Sequence, residues 1–123
     1  MVYFDFGPEE RYRSRWSPVL DVYEGPEEFV IRVELPGVEK KAVSLTWKND
    51  VLTISGVKQR QSREQSQLRY LCVERQYGRF RRDIAIRAPI DFTKATAEFS
   101  EGLLCIHLPR RKETTQDSTI PIK

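Results

Sequence analysis

The stretch that most constrains this chain lies near its C-terminal end. Residues 97–109 read Ala-Glu-Phe-Ser-Glu-Gly-Leu-Leu-Cys-Ile-His-Leu-Pro. Leu104, Ile106 and Leu108 alternate with Leu103, Cys105 and His107, which is the period of a strand with one strongly apolar face. The pair Glu101-Gly102 predicts a tight turn before that strand, because Gly102 can take a positive φ. Pro109 predicts its end, having no N–H to give to a ladder. A basic, polar tail follows and closes on the short apolar triplet Ile120-Pro121-Ile122. A hairpin, a stop and a distant apolar clip together imply a sheet that receives something.

Taken from its start, the chain mixes Tyr3, Phe4, Phe6, Tyr12 and Trp16 with Arg11, Arg13 and Arg15, and no period of 2 or 3.6 holds there. Residues 1–17 therefore read as an arm, with sticky aromatics. Strand patterns then recur with turn residues between them. Residues 18–23 set Val19 against Leu20 and Val22. Residues 29–35 place Phe29, Ile31, Val33 and Leu35 opposite Val30, Arg32 and Glu34. Residues 42–48 carry Val43, Leu45 and Trp47 on one face, and Asn49-Asp50 turns the chain into residues 51–55. Residues 56–67 are polar and rich in Gln, Arg and Ser, too long for a simple hairpin. Residues 68–75 look strand-like again, with Tyr70, Cys72 and Glu74 alternating with Leu71 and Val73, and residues 80–86 follow. One helical turn is expected near residues 91–94. About eight short strands and no longer helix make an all-β, immunoglobulin-like β-sandwich. The domain is expected over residues 18–109, with a C-terminal extension over 110–123.

At 123 residues, 39% hydrophobic and 32% charged, the chain is one globular domain with a real core. Its apolar runs fall far short of the roughly 20 residues needed to span a bilayer, and no secretory signal is visible. Two cysteines, Cys72 and Cys105, are too few for a disulfide framework, which points to a reduced, cytoplasmic setting. The net charge of +3 conceals an asymmetry: residues 21–39 hold six acidic residues and one Arg, residues 58–87 nine basic and three acidic. These regions either meet within an assembly or bind nucleic acid, and the missing binding motif weighs against the second.

Constellations for catalysis are not visible. His107, the single histidine, lies opposite the apolar face and reads as a surface strand residue. One histidine and two widely spaced cysteines make no metal site, and neither cysteine has a visible activating neighbour. The glycines stand singly at turns, so no phosphate cradle or nucleophile elbow is present, and no cofactor or enzymatic activity is expected. What remains is recognition through apolar surface. Pro121 holds its segment extended and biases Ile120 likewise, so Ile120 and Ile122 project to the same side and fit pockets beside a sheet edge. Burying both is worth roughly 3–6 kcal/mol before ordering costs, weak singly and strong when multiplied in an assembly.

These segments resemble the small heat-shock proteins, the alpha-crystallin domain family, and in particular its bacterial and plant type. The hairpin Ala97-x-x-x-x-Gly102-Leu103-Leu104 ending at Leu108-Pro109 is similar to the family signature. Trp16-Ser17-Pro18, Asp21-Val22-Tyr23-Glu24, Glu34-Leu35-Pro36-Gly37-Val38, and Val73-Glu74-Arg75 through Gly78-x-Phe80 and Arg82 resemble its other segments. Ile120-Pro121-Ile122 matches its C-terminal I-x-I motif. Leu103 stands where Val is usual, Arg87 where Pro is common, and the arm before Trp16 is shorter than is typical. The resemblance implies an ATP-independent holdase that binds unfolding client proteins and assembles from dimers into oligomers. It implies that Tyr70, Leu71, Cys72, Val73, Glu74 and Arg75 form a strand exchanged between dimer partners. It implies further that the clip docks in a groove made by Val43, Leu45 and Trp47 with Ala95, Ala97 and Phe99. Arg82 would be a buried, paired structural arginine, and the arm aromatics a client-binding surface. A β-sandwich co-chaperone or adaptor that binds a folded chaperone is the alternative.

Overall fold

In a computed structural model, residues 16–60, 69 and 71–112 are described, together with the backbone of residues 2–5. Eight strands run through them: β1 (Val2–Asp5), β2 (Leu20–Glu24), β3 (Glu28–Glu34), β4 (Val43–Lys48), β5 (Val51–Lys58), β6 (Gly78–Ile86), β7 (Thr96–Ser100) and β8 (Leu103–Pro109). They form two antiparallel four-stranded sheets, ordered β1-β6-β5-β4 and β2-β3-β8-β7. The chain is an all-β sandwich.

The alternation read in the sequence is what joins the sheets. In register, Phe29 faces Leu108, Ile31 faces Ile106 and Val33 faces Leu104, and all six are buried. From the other sheet Leu52, Ile54, Phe80, Ile84 and Ile86 complete the apolar layer. Burying such a face contributes about 25 cal/mol for each Å² of apolar surface removed from water. Two of the hairpin turns need left-handed backbone. Asn49 and Asp50 have φ of 53° and 65°, and Glu101 and Gly102 have 52° and 77°, the paired positive values whose twist matches that of flanking strands. Leu35 N–H also donates to the Gly102 carbonyl at 2.7 Å, tying the second turn to the end of β3.

Three segments differ from expectation. The first is Val2–Asp5, which pairs with the outer side of β6 from Val2 opposite Ile86 to Asp5 opposite Asp83. Four residues are too few to display a period, and it is the open edge of β6 that makes them a strand. The second is residues 71–75, which form no strand. Leu71 is 85% exposed and Val73 56%, so the alternating segment stands off the sandwich and pairs with none of its described strands. The third is β5, which runs through Gly56 to Lys58 instead of stopping at Ser55. Gly56 lies opposite Phe80, and a Cβ there would collide with the Ala42 carbonyl oxygen and stand 2.7 Å from the Phe80 ring. This glycine gives an aromatic ring its space and does not break the strand.

The short 3₁₀ turn at Phe92–Lys94 falls where a helical turn was expected, and a second lies at Lys40–Ala42. The sandwich continues slightly past Pro109. Arg110 N–H donates to the Glu27 carbonyl and Arg111 N–H to the Pro89 carbonyl, both at 2.9 Å. The Arg110 guanidinium covers the Phe29 ring at 4.5 Å and reaches Glu24 at 2.6 Å.

Replacing Gly56 with Ala should force Phe80 or β4 to move and destabilise the domain by about 3 kcal/mol, the upper part of the usual overpacking range. Urea unfolding of the variant beside the wild type measures it; an unchanged midpoint would show that the strand absorbs the methyl group.

Candidate functional site

The expected groove residues lie on strands at the ends of the two sheets, β4 in one and β7 in the other. Val43, Leu45 and Trp47 alternate along β4 and are half-buried against the core. Ala95 and Phe99 pack likewise, whereas Ala97 is exposed. The Trp47 ring of β4 contacts Phe92, in the turn just before β7, with centroids 4.4 Å apart. Phe92 itself is 42% exposed, so apolar surface reaches the rim of this edge. Asp91 holds the turn that presents Phe92: its carboxylate accepts from Thr93 N–H at 3.1 Å and from the Thr93 hydroxyl at 2.5 Å. The Thr93 hydroxyl above all, with the Thr93 backbone N–H and the Lys94 and Arg111 charges, holds the Asp91 carboxyl below its ordinary value against the opposing effect of desolvation.

The segment expected to exchange leaves and returns at one place, since Lys58 and Gly78 are partners in the β5–β6 register. Leu71, Cys72, Val73, Glu74 and Arg75 are all exposed. Cys72 Sγ lies 3.4 Å from Glu74, and the Arg75 guanidinium lies 5.2 Å from the Tyr77 ring centre. At the base of the excursion Trp16 packs on Phe80 with centroids 5.2 Å apart, and its indole N–H donates to the Gly78 carbonyl at 3.0 Å. The Lys58 ammonium stands 5.0 Å from the same indole. Trp16, grouped in sequence with the arm, is thus seated on the sandwich. Tyr3 and Phe4 belong to β1, but their side chains, with Phe6, Tyr12, Tyr70 and the clip Ile120-Pro121-Ile122, lie outside the described residues.

Arg82 occupies an inward position on β6 between Phe80 and Ile84 and is 8% exposed. Its Nη1 donates to the Pro18 carbonyl at 2.5 Å, which fixes the approach to β2 against the first sheet. On the outer face of the same strand, Asp83 accepts from Arg81 Nε at 3.1 Å and from the Thr53 hydroxyl at 2.8 Å.

One group of residues was missed. His107, read as a plain surface residue, is half-buried between Cys105 Sγ at 3.5 Å and Glu28 at 3.3 Å. Cys105 therefore does have a neighbour able to take its proton. The spacing Cys105-x-His107 on a strand puts both side chains on one face and was a legible signal; the link to Glu28 needs the β3–β8 register.

Compared with known proteins, residues 21–123 match the model of the Hsp20/alpha crystallin family. This chain belongs to that family. It is 39% identical over 108 residues to heat shock protein 16 of Schizosaccharomyces pombe, covering 87% of this chain and 76% of that one. To small heat shock protein C4 of Rickettsia felis it is 37% identical over 98 residues, 80% of this chain and 60% of the other. Among solved structures, that of a small heat-shock protein from Xylella fastidiosa superposes with a TM-score of 0.74 at 31% identity, covering 89% and 97% of the two chains. That of heat shock protein 16.0 from S. pombe gives 0.72 at 38%, covering 89% and 77%. The alpha-crystallin sandwich is therefore the family's own architecture.

Substituting Arg82 with Met in this small heat-shock protein removes the donor to Pro18 and leaves a buried carbonyl unsatisfied. The expected cost is about 1–3 kcal/mol, read as a lowered urea midpoint; an unchanged midpoint would mean that the guanidinium contributes nothing net.

Proposed function

We propose that this chain is an ATP-independent holdase: it captures unfolding proteins through apolar surface and keeps them from aggregating, working from dimers that assemble further. The observation that carries the reading is a family sandwich with apolar surface at its edges, at Trp47 and Phe92 on one and at Val19 and Tyr23 beside the other. Clients and clip compete for the same kind of surface, so assembly keeps it covered until demand rises.

In this reading residues 70–75 add to the open side of β2 in a partner subunit. Leu71 and Val73 are exposed with strand spacing, and β2 is the end strand of its sheet. Asp21 and Glu24 on β2 complement Arg69 and Arg75 in the excursion, which accounts for the charge asymmetry of the sequence. Ile120 and Ile122 then dock between β4 and β7 of a neighbouring subunit, beside Val43, Leu45, Trp47, Ala95 and Phe99. The setting is cytoplasmic, in keeping with two free thiols. No helix among the described residues is long and apolar enough to cross a membrane.

Equimolar subunits should suppress the heat-induced light scattering of a thermolabile client without nucleotide; scattering that proceeds at the control rate refutes the holdase. Assembly is checked by size-exclusion with light scattering. Ile120→Ala with Ile122→Ala should reduce the particle to dimers, and Val73→Pro, which removes a ladder donor, should yield monomers. Unchanged masses would refute the clip and the exchanged strand respectively.

A further inference from the structure

The outer face of the second sheet carries a chain of three side chains that neither the sandwich nor client capture requires. Cys105 and His107 are two residues apart on β8 and so share that face. Glu28 stands opposite Pro109 on β3, which places it diagonal to His107, within reach of a long side chain. Cys105 Sγ is 3.5 Å from His107 Nε2, and His107 Nδ1 is 3.3 Å from Glu28 Oε1. An ionised carboxylate only accepts, so Nδ1 carries the proton toward Glu28 and Nε2 is left to accept from the thiol. Nucleophile, base and orienting carboxylate thus stand in line, the arrangement that activates a weak nucleophile.

The surroundings narrow what this thiol can react with. The neighbours of Cys105 across the strands are Arg32 on β3 and Glu98 on β7, one of each charge, and those of His107 are Val30 and Thr96. The Arg32 guanidinium lies over the Tyr23 ring, 5.4 Å from its centre. The side chains stand on the open outer face of a sheet, which favours a small electrophile that brings its own leaving group. We propose that Cys105 is a peroxide-reactive thiol whose proton is taken by His107, positioned by Glu28. The thiol proton passes to Nε2, and the sulfur attacks one oxygen of a hydroperoxide. An S–O bond forms as the O–O bond breaks, and the departing oxygen takes the proton back from His107. Cys–SH and ROOH become Cys–SOH and ROH; sulfur is oxidised by two electrons and the peroxide reduced by two.

Cys72 is an internal control. It is exposed in the single chain, and its thiol donates to the Glu74 carboxylate at 3.4 Å, a contact without an imidazole. In the Val73→Pro chain, where residues 70–75 pair with no partner, accessibility favours Cys72 and the relay favours Cys105.

The test treats the intact protein with limiting hydrogen peroxide at pH 7, traps sulfenic acid with dimedone and reads both cysteines by peptide mass spectrometry. Labelling at Cys105 should outpace Cys72 at least tenfold. His107→Gln should lower the Cys105 rate at least tenfold and make it climb steeply with pH, with Cys72 unchanged. Glu28→Gln should give a smaller loss. Circular dichroism confirms that the variants keep the sandwich, and the comparison of the two thiols is repeated in Val73→Pro, where no partner strand covers Cys72. Faster labelling of Cys72 in the wild type, or a Cys105 rate indifferent to His107→Gln in a folded variant, overturns the proposal.

Discussion

Phe29, Ile31 and Val33 of one sheet share a single dry layer with Leu52, Ile54 and Ile84 of the other, and the remaining features of the chain follow from keeping that layer closed. A sandwich of two open sheets buries its inner faces but leaves end strands whose backbone groups lack partners along one side. Here these strands are β1 and β4 in one sheet and β2 and β7 in the other. The ends are exposed for a reason of geometry, and in the proposed function they are the surfaces through which the chain meets its copies and its clients. The same constraint explains the two inward exceptions. Gly56 gives up a side chain so that the Phe80 ring fits, and Arg82 brings a charge into the layer while donating to the Pro18 carbonyl.

Most of this architecture was legible because period-two alternation is a direct image of burial. It located β3, β4, β6 and β8 nearly residue by residue. It failed where strand formation depends on a partner edge more than on pattern. Val2–Asp5 has little pattern and pairs with β6; residues 71–75 have the pattern and pair with nothing in their own chain. Gly56 failed differently, since a glycine that makes room and a glycine that turns look identical in one dimension. The contact between Trp47 and Phe92, and the step from His107 to Glu28, join residues far apart in sequence and depend on the tertiary fold.

The two faces of the second sheet thus serve different chemistry from one alternation. The inward residues of β8 hold the layer together. The outward ones, set two apart by the same pleat, bring a thiol and an imidazole side by side. Strand geometry places chemical groups at fixed spacing without a loop to carry them, and so a small sandwich can hold a reactive site on a surface that its packing leaves idle.

The two tryptophans of the chain sit at two separate places on the sandwich. Trp16 lies beneath the Lys58 ammonium with its N–H bonded to Gly78, at the root of the excursion. Trp47 lies against Phe92 on the edge between β4 and β7. Their emission consequently carries two independent optical signals. One answers to the field of a nearby cation and a backbone carbonyl, the other to the wetting of an aromatic pair, so subunits can be followed by their own light without any attached dye.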